Sequence, residues 1–170
     1  MSGFLFQAYK PAGLDAHPKT SPIASIFTTK RSLMVRIEHI GIAVKDLTIS
    51  VPLFEKLLDC HCYKTELVES EQVNTAFFKN GETKIELLET TAEDGVIGRY
   101  LQNKGEGMHH IAFEVADIRL EMERLRKEGF VLLSAEPKHG ADNKLVCFLH
   151  PKSTNGVLIE LCQEIEEFEV

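Results

Sequence analysis

Two histidines and two glutamates recur at matched spacing in this 170-residue sequence. His39 and His110 lie 71 positions apart, and each is followed two places on by a small residue and then by Val and Asp: His39-Ile-Gly-Ile-Ala-Val-Lys-Asp against His110-Ile-Ala-Phe-Glu-Val-Ala-Asp. Glu86 and Glu160 lie 74 apart, in Lys84-Ile-Glu-Leu-Leu and Leu158-Ile-Glu-Leu-Cys, with Asn80-Gly81 and Asn155-Gly156 just upstream. Two imidazoles and one or two carboxylates, if brought together on rigid strands, form a mixed nitrogen and oxygen site for a divalent metal with positions left open for a substrate. A lone histidine on a strand is most often a hydrogen-bonded structural residue. It is the recurrence of both residue types in two copies that sets these four apart.

The elements needed to position them follow from periodicity. Residues 35–44 alternate, with Ile40, Ile42 and Val44 on one face and His39, Gly41 and Ala43 on the other, the pattern of a half-buried strand. Asp46 stands where an N-cap would, before a helix carrying Leu47, Val51, Phe54, Leu57 and Leu58, in which Pro52 is tolerable only near the first turn. Three strands are expected at 60–67, 73–79 and 84–89, the last two joined through Asn80-Gly81, a hairpin signal. A connector, 90–107, contains a short helix with Val96, Ile97, Tyr100 and Leu101 on one side. The order then repeats: a strand at 108–115, Asp117 before a helix with Ile118, Met122 and Leu125 inward and Gly129 at its end, then strands at 130–134, 144–149 and 157–161. The reading is α+β, one domain over residues 34–164 made of two β-α-β-β-β modules (34–89 and 108–164). Alternation also requires His109 and His110 to point to opposite faces, so only one of them can enter a given site.

Outside that domain, residues 1–33 carry Pro11, Pro18, Pro22 and many hydroxyl side chains without a regular period, and read as a disordered extension, as sequence upstream of a start at Met34, or as an organelle transit peptide. Residues 165–170 read as an acidic, solvated tail. The formal charge of −7 and pI near 5.5 argue against a nucleic-acid partner, and no apolar run approaches the roughly 18 residues of a membrane span. Cys60, Cys62, Cys147 and Cys162 lack zinc-knuckle spacing and read as free thiols, which suit the cytoplasm, or the mitochondrial matrix if the extension is a transit peptide. His17, His61 and His139 have no counterpart in the repeat and are assigned no chemistry, whereas His150, in His150-Pro151-Lys152, is a candidate site neighbour.

The segments around His39, Glu86, Gly105-Glu-Gly-Met-His-His-Ile-Ala-Phe, Phe148-Leu-His-Pro-Lys and Gly156-Val-Leu-Ile-Glu-Leu together resemble the methylmalonyl-CoA epimerases of the vicinal oxygen chelate, or glyoxalase-like, superfamily, from about residue 35 to 163. The resemblance implies a cupped mixed sheet, a homodimer, a divalent ion (often cobalt) and a place in propionate metabolism. It puts the metal ligands at His39, His110 and Glu160, with Glu86 at a fourth position. The implied reaction removes and returns the C2 proton of a methylmalonyl-CoA thioester, inverting it between the (2R) and (2S) forms.

That proton is a far weaker acid than any carboxyl group, and each pKa unit of mismatch costs about 1.4 kcal/mol. A cation on the thioester oxygen is therefore needed to stabilise the enolate, and inversion needs an acid or base on each of its faces. Glu160 is the first base. Some relatives supply the second from the strand after the first helix, but Val73-Asn-Thr-Ala-Phe-Phe contains no acid. Glu86 takes that role here as an expectation, with Glu71 or a metal-bound water behind it, and His150 and Lys152 are the candidate substrate contacts. A glyoxalase-type lyase would use a similar ligand set, an extradiol dioxygenase would need further acid-base histidines, and a metal-free binding protein of this architecture would not be expected to keep all four residues.

Overall fold

The computed structural model describes residues 34–165; the readings of 1–33 and of the acidic tail beyond Ile165 lie outside the described residues. Strand β1 (Met34–Val44) leads through Asp46 into helix α1 (Leu47–Leu58), and the Asp46 carboxylate accepts from the Thr48 backbone N–H as an N-cap should. Strands β2 (Lys64–Val68), β3 (Val73–Asn80) and β4 (Thr83–Thr90) complete the first module, with a 3-10 turn at Glu69–Glu71 between β2 and β3. Helix α2 (Val96–Lys104) fills the connector. The second module runs β5 (Gly107–Val115), α3 (Ile118–Lys127), β6 (Lys138–His139), β7 (Lys144–Leu149) and β8 (Ile159–Glu164), and Asp117 caps α3 at the Leu120 N–H.

All eight strands form one mixed sheet, in the order β2-β3-β4-β1-β5-β8-β7-β6. The order is symmetric about the central antiparallel pair β1/β5, each member of which is flanked by a parallel neighbour from its own module, β4 or β8. Helices α1 and α3 cover one face. Leu47, Val51, Phe54 and Leu58 of α1 pack on Ile42, Val44, Ala76, Phe78 and Leu87, while Ile118, Met122 and Leu125 of α3 pack on Val115, Cys147, Leu149 and Leu161. Since strand side chains alternate, His39, Gly41, Thr75, Phe77, Glu86, Leu88, His110, Ala112, Val146, Phe148 and Glu160 are left for the opposite face. Near one end of β1 on that face, Ile97 of α2, with Tyr100 and Leu101, packs on Ala43, Val73 and Leu88.

Several details depart from the sequence reading. Leu57 points outward, at 69% exposure, instead of joining the α1 core face. Pro52 is the sixth helical residue, a turn deeper than expected, and lies on the exposed side of α1. The first strand after α1 begins at Lys64, because residues 60–63 make only single bonds such as Tyr63 N–H to the Phe77 carbonyl. The expected strand at 130–134 is a loop: one bridge, Leu132 to Leu149, joins it to the sheet, and its other polar groups are met singly, as when the Val131 N–H donates to Ser153 Oγ. Phe130 and Leu132 are apolar because they cover the α3 core, not because they belong to a ladder. The edge strand of this module is the two-residue β6 instead.

Candidate metal centre and cleft

At the centre of the face away from α1 and α3, the duplication makes reciprocal contacts. Gly41 lies opposite His110 and Ala112 opposite His39, so each imidazole stands across from the small residue of the other module. The side chain must be small at Gly41 in particular, since a Cβ there would overlap the His110 ring. Glu86 is paired beside Gly41 on β4 and Glu160 beside Ala112 on β8. The four expected residues are thereby brought together: the two Nε2 atoms lie 2.9 Å apart, Glu86 Oε2 is 3.3 and 3.6 Å from those of His39 and His110, and Glu160 Oε2 is 3.7 and 3.1 Å from them. All four are buried.

Both histidines sit at irregularities in the β1/β5 ladder. Register shifts between Ile37 and His39 on β1, and between His110 and Met108 on β5, leave Glu38 and His109 as extra residues. A bulge turns the side chain of the extra residue out of strict alternation. Glu38 Oε2 consequently reaches His39 Nδ1 at 2.5 Å, and His109 Nδ1 lies 2.9 Å from His110 Nδ1. The expectation that His109 must leave the site is corrected on this point: it joins His110 in lining the cleft.

These contacts fix the tautomers. Glu38 is an ionised acceptor, its pKa lowered to about 2: burial would raise it, but hydrogen bonds from His39 and Lys84 outweigh burial. His39 therefore carries its proton on Nδ1 when neutral, and Nε2 presents a lone pair to the cluster. On the other side, burial and the nearby His110 push the His109 pKa down to about 4, so His109 is neutral and its Nδ1 can accept from His110 Nδ1–H. Two bare Nε2 atoms and two carboxylates converging in a buried space need a positive charge between them. Without an ion that charge is a proton on His39: burial alone would lower its pKa, yet the Glu86 charge and bonds to Glu160 and Glu38 raise it well above the ordinary value. The same pairing holds the Glu160 carboxyl well below its usual range against the opposing effect of complete burial.

A divalent cation meets the same need better. Donors about 2.1 Å from one ion and mutually cis are about 3.0 Å apart, near the separations found here, and two imidazoles with carboxylates form a recognised first-row donor set. The residues fit such an ion. His39, Glu86 and His110 form one group of convergent donors, and Glu38, His39 and Cys162 form another; the lysines that bind Glu38 make the latter a poor cation site.

The cluster lies in a cleft of about 260 Å3, whose lining includes Phe77, Leu88, Ile97, Val146 and Phe148, with Glu71, Ser134 and Lys138 also contributing. Glu71 pairs with Lys138, and Asp142 accepts from Lys64 at 3.0 Å and from Lys84 at 2.6 Å, so charges of the second module meet those of the first across the cleft. His150 and Lys152 are not brought to the cleft. The His150 imidazole instead accepts from the Lys152 N–H and caps the 3-10 turn Pro151–Ser153, and Lys152 borders a separate shallow groove beside Gly129 and Phe130. The sequence reading missed Glu38 and His109 as site residues; the one available signal was that both immediately precede the repeated histidine.

Residues 38–148 match the family model of the Glyoxalase/Bleomycin resistance protein/Dioxygenase superfamily. Among curated proteins, the chain is 38% identical over 130 residues to the uncharacterized protein YqjC of Bacillus subtilis (strain 168), covering 76% of this chain and 93% of that one. It is 40% identical over 129 residues to the mitochondrial methylmalonyl-CoA epimerase of Homo sapiens, covering 75% of this chain and 73% of the human protein. Among solved structures, Streptomyces coelicolor methylmalonyl-CoA epimerase in complex with 2-nitronate-propionyl-CoA superposes with a TM-score of 0.74 at 35% identity, over 78% of this chain and 99% of that one. The chain belongs to this superfamily and, within it, to the methylmalonyl-CoA epimerase family.

Proposed function

We propose that this protein interconverts (2R)- and (2S)-methylmalonyl-CoA by proton transfer at C2, as the domain formed by residues 34–164. The observation that carries this reading is the convergence of His39, Glu86, His110 and Glu160 at a largely apolar cleft, in a chain whose relatives are named as epimerases of this substrate. His39, His110, Glu160 and Glu86 would hold the divalent ion, which polarises the thioester and stabilises negative charge on its oxygen. Cobalt is the ion proposed, in a donor set that also accepts manganese, zinc or iron. Apolar walls such as Phe77, Leu88 and Phe148 keep water from the reacting carbon, and Glu160 takes the proton from one face of C2. Glu86, its counterpart in the repeat, delivers a proton to the other face. Glu71 is the second candidate for that step, favoured by its place in the cleft lining apart from the four donors.

Deuterium uptake at C2 from each stereoisomer tests these roles. With Glu160→Gln, exchange is expected to fail from the isomer whose proton faces Glu160, and unchanged exchange from both isomers would refute the assignment. Comparing Glu86→Gln with Glu71→Gln then identifies the second group by which one abolishes exchange from the opposite isomer.

A homodimer is proposed on the support of an apolar stripe along α1, formed by the exposed Ile49, Leu53 and Leu57. A metabolic place in propionate breakdown goes with the proposed substrate. The proposed compartment is the cytoplasm, or the mitochondrial matrix if residues 1–33 act as a transit peptide. No helix among the described residues is long and apolar enough to cross a membrane.

A further inference from the structure

Glu38 is a carboxylate at 2% exposure whose two oxygens are both engaged. Oε2 accepts from His39 Nδ1 at 2.5 Å, while Oε1 takes Lys84 Nζ at 2.5 Å and Lys144 Nζ at 3.5 Å. Each lysine has a second acidic partner, Asp142 for Lys84 and Glu164 for Lys144, so Glu38 is anchored at the outer side by cations that are themselves held. Its counterpart in the repeat, His109, offers His110 an imidazole nitrogen in place of a lysine-anchored carboxylate. A charged acceptor makes a shorter and stronger bond than a neutral one and leaves the opposite ring nitrogen more basic.

We infer that Glu38 is a positioning residue for the metal centre, which fixes the His39 tautomer, aims its Nε2 at the ion and makes it the stronger imidazole donor of the two. The inference rests on the reading that the cluster holds a divalent ion. Lys84 moderates the effect by sharing the negative charge of Glu38, so its removal works in the opposite direction.

The test measures Co2+ affinity of the full chain by competition with a chelator at fixed pH, alongside circular dichroism and melting of the metal-free protein. Glu38→Gln keeps an oxygen that can accept from Nδ1 but loses the charge, and is expected to weaken Co2+ binding about 10- to 100-fold. His109→Gln is expected to weaken it less. Lys84→Met is expected to tighten Co2+ binding even though it removes two ion pairs, a sign that a purely structural role would not give. Failure of the unmodified chain to bind Co2+ would refute the metal reading itself. A binding parent with a folded Glu38→Gln variant of equal affinity would overturn the role of Glu38. If Glu38→Gln does not fold, Lys84→Met decides: tighter binding supports the role and weaker binding overturns it.

Discussion

His39 and His110 hold equivalent places in the two modules, each beside a bulge and each facing the other module's small residue, yet what lies behind them differs. Behind His39 is the carboxylate of Glu38, tied to two lysines; behind His110 is a neutral histidine in edge contact with Tyr100. The helices differ in the same way. Both α1 and α3 bury an apolar stripe under the sheet, but α1 turns Ile49, Leu53 and Leu57 to the outside, whereas α3 turns out Arg119, Glu123 and Lys127 together with Leu120. The donor atoms must meet at one point, so their strands retain near-symmetric register. The groups one layer further out face different surroundings and have diverged.

Paired substitutions in the two modules test how far they differ. Met122→Ala on the buried face of α3 is expected to cost about 2–5 kcal/mol in chemical denaturation. Leu53→Ala on the outer face of α1, 60% exposed, is expected to stay within about 0.5 kcal/mol at low protein concentration. A larger, concentration-dependent loss at Leu53 would support pairing of two copies through α1. Gly41→Ala should destabilise by about 1–3 kcal/mol, because the new methyl overlaps the His110 ring, and should also weaken metal binding. The reciprocal Ala112→Gly adds no clash and should cost only about 0.5–1 kcal/mol. Equal metal affinities for these two variants would show that close approach at Gly41 is not what seats His110.

The caps are expected to behave alike, Asp46→Ala and Asp117→Ala each costing about 1 kcal/mol, since each carboxylate accepts a backbone N–H at the start of its helix. A further effect is one of pH. In metal-free protein the raised His39 pKa stabilises the fold fully below about 6.5 and progressively less as pH rises through its folded value. The lowered Glu160 pKa stabilises it above about 4.5 and is lost as pH falls through its folded value. The site's contribution to metal-free stability is therefore greatest between about pH 4.5 and 6.5. Bound metal displaces the His39 proton and should move the melting maximum to higher pH.

Much of this arrangement was legible in the sequence. The repeat singled out the four donor residues, and alternation put His39 with Gly41 and Ala43 on one face, opposite Ile40, Ile42 and Val44. Both helix caps were readable because Asp46 and Asp117 directly precede an apolar period. The bulges were not readable, because one extra residue in a strand leaves the hydrophobic pattern on either side almost unchanged, and Glu38 and His109 were lost with them. Phe130 and Leu132 misled for the opposite reason: burial under a helix gives a loop the composition of a strand. The charges joining Lys64, Lys84 and Asp142 come from polar segments up to 78 positions apart and leave no periodic trace.

The most direct test follows C2 hydrogen exchange and inversion of (2R)- and (2S)-methylmalonyl-CoA in deuterium oxide, with metal bound, removed by chelation and restored. The account predicts exchange and inversion from both isomers with metal, loss of both on chelation and recovery when a divalent ion is returned. Metal-loaded protein that exchanges neither isomer, or exchange that persists unchanged after metal removal, would contradict it.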